Sequence, residues 1–273
     1  MILMNNFKAE PPELRKAMLQ AASRVLESGW YVLGNEVKHF EEQWSRVCGV
    51  SHGIGVGNGM DAIEMALLGL SIGAGDEVIT TPMTAFATIL AIIRCGAKPV
   101  LADIDSETAL LSAESAKRCL STKTKAVILV HLYGQVRQMD EWVIFCEENN
   151  IMLIEDCAQA HQATWHGKVA GCFGQAGAHS FYPTKNLGAV GDAGMLVTGN
   201  SALAKRTRQL RNYGQSERYL HPVIGMNSRL DEVQAAMLSE RMNWLTEFTN
   251  RRRQIAGAYH SKLDNPLVKH LIQ

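Results

Sequence analysis

The sequence predicts an α/β fold in which helices cover both faces of a mostly parallel sheet. Three observations support this prediction. Short apolar runs alternate with stretches of helical spacing as far as Phe173, which is typical of β–α–β units. The runs are continuously apolar, as in strands that are buried on both faces. Glycines stand at the joins between the runs, where they favour turns.

The elements follow in chain order. A first helix is predicted from Pro11 to Ser28, because Leu14, Met18 and Val25 recur at helical spacing and Gly29 follows as a stop. Buried strands are predicted at Ile54–Val56, Val78–Thr80, Pro99–Ala102, Ala126–Val130 and Met152–Glu155. Helices are predicted between them, near Asp61–Leu70, Ala87–Arg94, Ser112–Leu120 and Gln138–Asn149. The last predicted elements are short strands at His179–Phe181 and Met195–Thr198 and a long helix from about Leu230 to Tyr259.

Composition and charge argue against several classes of protein. Lys+Arg and Asp+Glu both number 27, so the charge balance favours neither a nucleic acid nor an acidic membrane surface as partner. No apolar run approaches the ~20 residues of a membrane-spanning helix, and residues 1–10 lack the pattern of a secretion signal. We therefore expect a cytoplasmic protein with no membrane partner. The six cysteines form no C-x-x-C pair, and we interpret them, Cys157 included, as reduced packing residues.

Ligands of open α/β sheets bind beyond the carboxyl ends of the strands. This rule selects one residue after each of the first five predicted strands, namely Asn58, Thr81, Asp103, His131 and Asp156. We expect the functional site to be assembled from these loops. Two histidines near strand ends, His131 and His161, are either hydrogen-bonded structural residues or catalytic bases, since a histidine acts as a base only with a suitably placed partner.

Alternating glycines at positions 53, 55, 57 and 59 precede a predicted helix. Their spacing fails the G-x-G-x-x-G dinucleotide fingerprint, and no G-K-[ST] follows to complete a phosphate-binding P-loop. An NAD(P)-dependent oxidoreductase is therefore disfavoured. Two interpretations remain for this segment. It is a tight strand-to-helix turn, or it is a phosphate site at a helix N-terminus, where amides and the helix dipole favour an anion.

Two charged residues are candidates for chemistry. Asp156 ends an apolar strand, where a buried carboxylate needs a positive partner or hydrogen-bond donors. It either pairs with a protonated heteroaromatic nitrogen of a ligand or caps a following helix. Lys185 stands between an aromatic pair and a glycine-rich turn. Partial desolvation there lowers the pKa of the amine and makes it a Schiff-base nucleophile, whereas a lysine without such neighbours is usually on the surface.

Seven segments of the chain stand in the order in which one enzyme family carries them. They are Asn58–Ala62, Pro82–Thr88, His131–Gly134, Glu155–His161, Ser180–Asn186, Arg211–Gly214 and Asn227–Glu232. Together they resemble the DegT/DnrJ/EryC1/StrS family of pyridoxal-phosphate (PLP) sugar aminotransferases. The similarity runs from about Glu13 to Ala258. It implies the PLP-dependent transferase fold type I, like that of aspartate aminotransferase.

The resemblance implies roles around the cofactor ring. Lys185 would be the catalytic residue and would hold PLP as a Schiff base. Asp156 would bind the pyridine nitrogen and keep it protonated, so that the ring can draw electrons from the substrate. Gln159 would bind the ring hydroxyl oxygen. Phe86 would lie against the face of the ring.

The resemblance also implies a phosphate site. The backbone amides of Gly59 and Met60, together with the Ser180 hydroxyl group, would hold the cofactor phosphate. In this family, an asparagine at the position of Asn227 reaches the phosphate of the other subunit. The resemblance therefore implies a homodimer with a shared active site. With the phosphate anchored, the ring is fixed against the lysine that reacts with it.

The substrate implied by the resemblance is a nucleotide-linked keto sugar. Some family members are dehydratases with histidine at the position of Lys185, so the lysine favours transamination. The segments Gly29–Gly34 and Ala158–His161 most resemble enzymes that act on dTDP-3-keto-6-deoxyhexoses, with L-glutamate as the amino donor. A C-4 keto-sugar aminotransferase of the same family is the alternative. The residues expected to contact the substrate are Tyr31, Tyr182 and Arg229.

Two domains are predicted. Residues 1–250 would form the large PLP-binding α/β domain, and residues 251–273 the end of a linking helix and the start of a small C-terminal domain. Family members carry roughly 100 further residues in that small domain, so we interpret the chain as a fragment or a truncated product. A second hypothesis is therefore a non-catalytic homologue with the PLP fold. The run Arg251–Arg253 is interpreted as a solvated helix face.

Overall fold

The structure, a computed structural model, describes residues 5–268 and 270–271. The helices are α1 (Pro12–Ser28), α2 (Asn35–Cys48), α3 (Gly59–Gly69), α4 (Phe86–Arg94), α5 (Ala113–Arg118), α6 (Met139–Glu148), α7 (Ser201–Leu210) and α8 (Glu232–Lys262). The strands are β1 (His52–Val56), β2 (Glu77–Thr80), β3 (Lys98–Leu101), β4 (Thr124–Val130), β5 (Met152–Asp156), β6 (Thr164–Trp165), β7 (Lys168–Val169), β8 (Ala176–Ser180) and β9 (Gly194–Thr198). A 3₁₀ turn, Leu132–Gly134, follows β4.

Seven of the strands form one sheet in the order β1-β9-β8-β5-β4-β2-β3. The neighbours from β8 to β3 pair in parallel, whereas β9 is antiparallel to both β1 and β8. Strands β6 and β7 form a separate antiparallel hairpin. All strands of the large sheet except β9 therefore point the same way, and their carboxyl ends meet at one edge. This topology confirms the predicted mixed, mostly parallel sheet.

The alternation of side chains along each strand divides the core into two layers. On β4, Ile128 faces a cluster that contains buried residues of α3, α4 and α7. Its neighbours Val127 and Leu129 face the other side, where α5 and α6 pack. On that second side, Val197 of β9 contacts the cluster formed by α2 and α8. Helices therefore cover both faces of the sheet, as predicted.

Glu232, the first residue of α8, fixes the start of α2. Its buried carboxylate accepts hydrogen bonds from the amides of Gly34 (2.8 Å), Glu36 (2.9 Å) and Val37 (3.0 Å). A carboxylate satisfies the first amides of a helix and interacts favourably with its dipole. The Glu232 amide donates to the carbonyl of Tyr31 at 3.2 Å. The segment that carries Tyr31 is therefore tied to the start of α8.

Every predicted helix and strand is present, with ends within three residues of the prediction. The structure adds α2, α7 and the β6–β7 hairpin, which were not predicted from the sequence. Strand β8 begins earlier than predicted. The prediction omitted Ala176, Gly177 and Ala178, because such small side chains form no apolar run, and it included Phe181, which follows the strand. A search of the described residues finds no helix with the length and apolarity needed to cross a membrane.

Candidate active site

A cradle of small residues lies where α3 begins. Asn58 caps the helix, since its side-chain oxygen accepts a hydrogen bond from the Asp61 amide at 2.9 Å. A Cβ on Gly59 would stand 2.7 Å from the Ser180 Cβ, and a Cβ on Gly194 would stand 2.3 Å from the Asn58 carbonyl carbon. Only glycine fits at these two positions. The first amides of α3 and the Ser180 side chain therefore lie side by side, as in anion sites at helix N-termini.

Asp156 is the last residue of β5, and its side chain is buried. The Thr88 hydroxyl group, on α4, donates to Oδ2 at 2.8 Å, and the Ala158 amide donates to Oδ1 at 3.1 Å. Donors of this kind stabilise an ionised carboxylate. The residues after β5 form turns and no helix. The interpretation of Asp156 as a helix cap is therefore wrong, and a partner in a ligand remains the alternative.

Lys185 lies in the turn that follows β8. Its amide donates to the Tyr182 carbonyl at 2.8 Å, and its side chain is half-buried. Burial lowers the pKa of the Lys185 amine below its ordinary value, while the negative charge of Asp156 opposes that shift. The two residues stand on neighbouring segments, because Asp156 ends β5 and β8, which precedes the Lys185 turn, pairs with β5 in parallel. A lowered pKa increases the neutral, nucleophilic fraction of an amine at a given pH.

Two other predicted residues stand on neighbouring segments of this edge. The side-chain Oε1 of Gln159 accepts a hydrogen bond from the Tyr133 amide at 2.8 Å. Phe86 is the first residue of α4, the helix that also carries Thr88, and it is 65% exposed. An exposed aromatic ring near a buried carboxylate offers a flat apolar surface to a planar ligand.

Glu155 points to the opposite side of the sheet from Asp156, because successive side chains of a strand alternate. Its carboxylate lies 2.9 Å from His131 Nε2, and both side chains are buried. The same carboxylate accepts hydrogen bonds from the amides of Gly171 (2.8 Å), Phe173 (2.8 Å) and Gly174 (2.9 Å). This network confirms the interpretation of His131 as a hydrogen-bonded structural residue.

The residues predicted to contact the substrate lie further out. Tyr31 and Tyr182 are each about half exposed, and Tyr182 belongs to the Lys185 turn. The Arg229 guanidinium group stands over the Tyr213 ring, 5.4 Å from its centroid, and donates to the Asn212 side chain at 3.1 Å. Asn227 is exposed and its backbone bridges to that of Asn212.

Comparison with known proteins decides the family. Residues 12–271 match the DegT/DnrJ/EryC1/StrS aminotransferase family. The chain belongs to this family. It is 45% identical to a dTDP-3-amino-3,6-dideoxy-alpha-D-galactopyranose transaminase of Aneurinibacillus thermoaerophilus, over 93% of this chain and 70% of that protein. It is 43% identical to a pleiotropic regulatory protein of Geobacillus stearothermophilus, over 92% of this chain and 68% of that protein.

Solved structures of DegT/DnrJ/EryC1/StrS relatives share the fold. The X-ray structure of DesV from S. venezuelae is similar with a TM-score of 0.92 and 42% identity, over 95% of this chain and 70% of that one. NtdA from Bacillus subtilis, with bound cofactor PMP, is similar with a TM-score of 0.87 and 30% identity, over 93% of this chain and 58% of that one. The chain is therefore a sugar aminotransferase of PLP-dependent transferase fold type I, and its cofactor is PLP.

The residues of this DegT/DnrJ/EryC1/StrS member fit PLP. The cofactor carries a phosphate, a pyridine nitrogen that can be protonated, and an aldehyde that reacts with an amine. The chain supplies a counterpart to each, in the same order. For the phosphate, the cradle at Gly59 and Ser180 offers a space that a Cβ on Gly59 would fill. For the pyridine nitrogen, the Asp156 carboxylate is held by donors that favour its charge. For the aldehyde, the Lys185 amine is half-buried.

Sequence reasoning missed three contributors to the site: Thr88, Tyr133 and Gly194. Thr88 could have been found, since it stands two residues after Phe86 in the Pro82–Thr88 segment that carries the family resemblance. Gly194 is needed only because the Asn58 backbone approaches it, and such a contact between distant segments leaves no local pattern. The Tyr133 backbone contact with Gln159 leaves none either.

The cysteine and arginine predictions agree with the structure. The six cysteines are free. Cys157 is fully buried, and burial raises the pKa of its thiol well above the usual range, so the packing interpretation is confirmed. The Arg251–Arg253 run is exposed on α8, which confirms the solvated helix face.

His161 lies in an aromatic box near the Lys185 turn. Its ring centroid is 5.2 Å from that of Trp44, 5.7 Å from that of His179 and 5.4 Å from that of Phe181. Its Nδ1 accepts a hydrogen bond from the Leu187 amide at 3.1 Å. Burial, followed by the charge of Lys185, lowers the pKa of His161 to about 3. The imidazole is therefore a neutral structural group.

Acidification is expected to destabilise the chain through two of its buried histidines, His161 and His179. Burial lowers the pKa of His161 to about 3 and that of His179 well below its usual value. Below pH ~6.5 the unfolded chain binds protons that the folded chain does not, so stability falls as the pH drops from 6.5 towards 3. We expect a loss of roughly 1 kcal/mol per pH unit for each histidine. Urea unfolding at several pH values measures this slope.

A matched pair of variants assigns the slope. His179→Phe keeps a ring in the box and is expected to reduce the slope by about one proton. His39→Gln, at an exposed position of α2, is expected to keep the slope of the unaltered chain. If His179→Phe and the unaltered chain lose stability equally steeply, His179 is not a buried neutral group.

Proposed function

We propose that this chain transfers the amino group of L-glutamate to a dTDP-linked 3-keto-6-deoxyhexose. The observation that carries the proposal is that the buried Asp156 ends β5 and the half-buried Lys185 lies in the turn after β8, the strand that pairs in parallel with β5. An amine and a carboxylate placed this way serve the two ends of one planar cofactor. We assign the catalytic role to Lys185 and the pyridine contact to Asp156.

Each residue has a chemical task in this proposal. Bound PLP supplies an electron sink for a substrate that loses its α-proton. Asp156 keeps a proton on the pyridine nitrogen through a charge-assisted hydrogen bond. The Nζ atom of Lys185 takes the α-proton from the amino donor and returns a proton to the acceptor side, as a positioned general base and acid.

The remaining contacts orient the ring. The amides of Gly59 and Met60 and the Ser180 hydroxyl group hold the phosphate, and the phosphate fixes the ring relative to Lys185. Gln159 donates to the ring hydroxyl oxygen through its amide nitrogen. Phe86 covers a face of the ring and excludes water from it. These assignments rest on the resemblance and on the geometry of the edge.

The names of the relatives support the substrate. The Aneurinibacillus protein is a dTDP-3-amino-3,6-dideoxy-alpha-D-galactopyranose transaminase, and a relative from Streptomyces venezuelae, 42% identical over 94% of this chain, is a dTDP-3-amino-3,4,6-trideoxy-alpha-D-glucose transaminase. Tyr31, Tyr182 and Arg229 are proposed to contact the nucleotide-linked sugar. The alternative is a C-4 keto-sugar aminotransferase of the same family.

A substrate comparison tests the proposal. The purified chain, loaded with PLP, is incubated with L-glutamate and either a dTDP-3-keto or a dTDP-4-keto deoxyhexose, and 2-oxoglutarate is measured. Faster turnover of the 3-keto sugar supports the proposal, whereas preference for the 4-keto sugar establishes the alternative. A chain that stays colourless with PLP and turns over neither sugar is the non-catalytic homologue.

Asp156→Asn is expected to retain much of the PLP and to lose turnover by roughly a hundredfold or more, because asparagine cannot hold a proton on the pyridine nitrogen as a carboxylate does. Steady-state kinetics and the PLP dissociation constant measure the two effects. Asp103→Asn is the matched control: this carboxylate follows the edge strand β3 and is exposed, so its loss should change neither. Unchanged turnover in Asp156→Asn would contradict the pyridine contact.

We also propose a homodimer and a two-part chain. Asn227 is exposed on a segment whose next residue, Ser228, accepts the hydrogen bond of the Gly57 amide at 2.9 Å. The segment is thus fixed beside the cradle with an amide side chain available to a second subunit. Residues 1–250 are the proposed large domain, since the buried positions of α8 end at Leu245. Residues 251–273 would link to a small domain.

A further inference from the structure

The loop that follows β4 is held against β5 by its first residue. The His131 amide donates to the Asp156 carbonyl at 3.1 Å, and the His131 ring pairs with the buried Glu155. The first residue of the loop therefore contacts two consecutive residues of β5, Glu155 and Asp156, and Asp156 is the proposed pyridine contact. Two residues further on, the Tyr133 amide reaches the Gln159 side chain at 2.8 Å.

Tyr133 adopts a backbone conformation that is unusual for its residue type. Its φ is 57° and its ψ is 16°, in the left-handed region that residues other than glycine rarely occupy. Its side chain is 60% exposed, so burial of the ring does not account for the conformation. Strain of this kind persists where the surroundings fix it, and it is common at functional sites.

The left-handed turn at Tyr133 directs the backbone amide of this residue toward the Gln159 side chain. The following residue, Gly134, also has a positive φ of 83°, and a Cβ there would stand 3.1 Å from the Gln159 carbonyl oxygen. The loop therefore packs on the backbone of Gln159 while its amide binds the Gln159 side chain. An N–H donor requires an oxygen acceptor, so Oε1 faces the loop and the NH₂ group is the free end of the amide.

We propose that Tyr133 is a positioning residue whose strained backbone amide sets the orientation of Gln159. The inference rests on the proposed function, in which Gln159 donates to the ring hydroxyl oxygen of PLP. A glutamine that is free to rotate presents oxygen or nitrogen to the ring, and only the nitrogen can donate. With Oε1 engaged by the Tyr133 amide, the donor end is presented. The contribution comes from the backbone, so it does not depend on the phenol group.

Replacement of the peptide bond before Tyr133 by an ester tests this inference. Incorporation of 4-hydroxyphenyllactic acid at position 133 removes the amide N–H and keeps the side chain. The charged neighbours Asp156, Lys185 and the His131–Glu155 pair are unaltered. The same ester at the exposed Tyr219 is the matched control. The readouts are the PLP dissociation constant, the pH midpoint of the visible absorption band, and the melting temperature without PLP.

The expected result is a change in both cofactor readouts. A hydrogen-bond donor at the ring hydroxyl oxygen of PLP stabilises the deprotonated oxygen. Misorientation of the Gln159 amide should therefore raise the pH midpoint of the absorption band, by roughly half to one pH unit for one hydrogen bond. PLP should bind about three- to tenfold more weakly. Gln159→Ala should do the same, and the ester should add nothing to Gln159→Ala, because both remove one interaction. The Tyr219 ester should leave both readouts unchanged.

The opposite results are distinct. If Gln159→Ala shifts the midpoint and the Tyr133 ester leaves it unchanged, or lowers only the melting temperature, Tyr133 is merely structural and the inference is wrong. If no visible band forms with PLP in the unaltered chain, the proposed function fails first.

A second pair of variants tests the inference when the ester protein does not fold. Tyr133→Gly keeps the amide and adopts positive φ easily, so it should keep the midpoint, whereas β-branched Tyr133→Val resists that conformation and should raise it.

Discussion

Lys185→Ala is expected to lose both the covalent attachment of PLP and turnover. Reduction of the unaltered chain with borohydride in the presence of PLP should leave a stable adduct on the Lys185 peptide, found by mass spectrometry. The alanine variant should show no adduct at this peptide. Its turnover should fall by at least about a thousandfold, because the same amine is the proposed nucleophile and the proposed proton carrier.

The size of this effect follows from the place of the amine. Burial lowers the pKa of Lys185, and the negative charge of Asp156 limits the shift, so more of the amine is neutral and nucleophilic than in an exposed lysine. The cradle at the start of α3 is untouched by the substitution, so PLP should still bind without a covalent bond. The variant thus separates binding from chemistry, with binding read from a change in PLP absorbance.

A surface lysine provides the control. Lys205 is exposed on α7, and Lys205→Ala should keep the adduct at Lys185 and normal turnover. An adduct that forms at another lysine in Lys185→Ala, with turnover retained, would remove Lys185 from the mechanism. A Lys185→Arg variant, which keeps a positive charge, should be as inactive as the alanine variant if the amine itself reacts.

The sequence predicts the edge of the sheet on which the site lies because strand ends carry local signals. Apolar runs mark where β4 and β5 stop, and the polar residue after each run is found at that edge. The rule does not distinguish a central strand from an edge strand. Asp103 follows β3, which is the last strand of the sheet, and its side chain is exposed. In the sequence, however, its position after an apolar run is the same as that of Asp156.

The parts that could not be predicted depend on contacts between distant segments. The Glu232 carboxylate caps α2 from a position 198 residues after Gly34, and no local pattern at either end indicates the partner. Helix α2 itself has buried residues at helical spacing, among them Val37, Phe40 and Trp44. That spacing is a local signal, although the predicted elements do not include the helix. Tyr133 is different again, because tyrosine is not a residue type that signals a left-handed turn.

Glu155→Ala is expected to destabilise the fold strongly. The carboxylate is fully buried and serves His131 and three amides. Burial alone would raise the pKa of Glu155, but its hydrogen bond with His131 and the His131 charge, with the amides of Gly171 and Gly174, outweigh burial and lower the pKa. Removing one partner of a buried pair leaves the others unsatisfied, which costs about 3–5 kcal/mol. Urea unfolding at pH 7 measures the loss.

Two further variants keep this prediction testable when the alanine variant does not fold. Glu155→Gln keeps the shape and one oxygen acceptor, so it should lose less, about 1–3 kcal/mol. Glu114→Ala is the control, since its carboxylate is 83% exposed and pairs with Arg118 on the surface. It should be near neutral, because exposed pairs contribute little. Equal stabilities of Glu155→Gln and the unaltered chain would contradict the role of the buried charge.

The pH dependence of the stability of these variants distinguishes the contribution of the Glu155 carboxylate from that of the buried histidines. A carboxylate whose folded pKa is lowered stabilises the folded chain above its unfolded pKa of ~4.3, and this contribution is lost as the pH falls through the lower folded value. The histidines His161 and His179 act from pH ~6.5 downwards, so the two effects begin in different pH windows. Glu155→Gln should therefore keep the histidine slope and lose the additional slope below pH ~4.3. Because His131 also fixes the loop that carries Tyr133, Glu155→Gln should disturb PLP binding as well as stability, and Glu114→Ala should disturb neither.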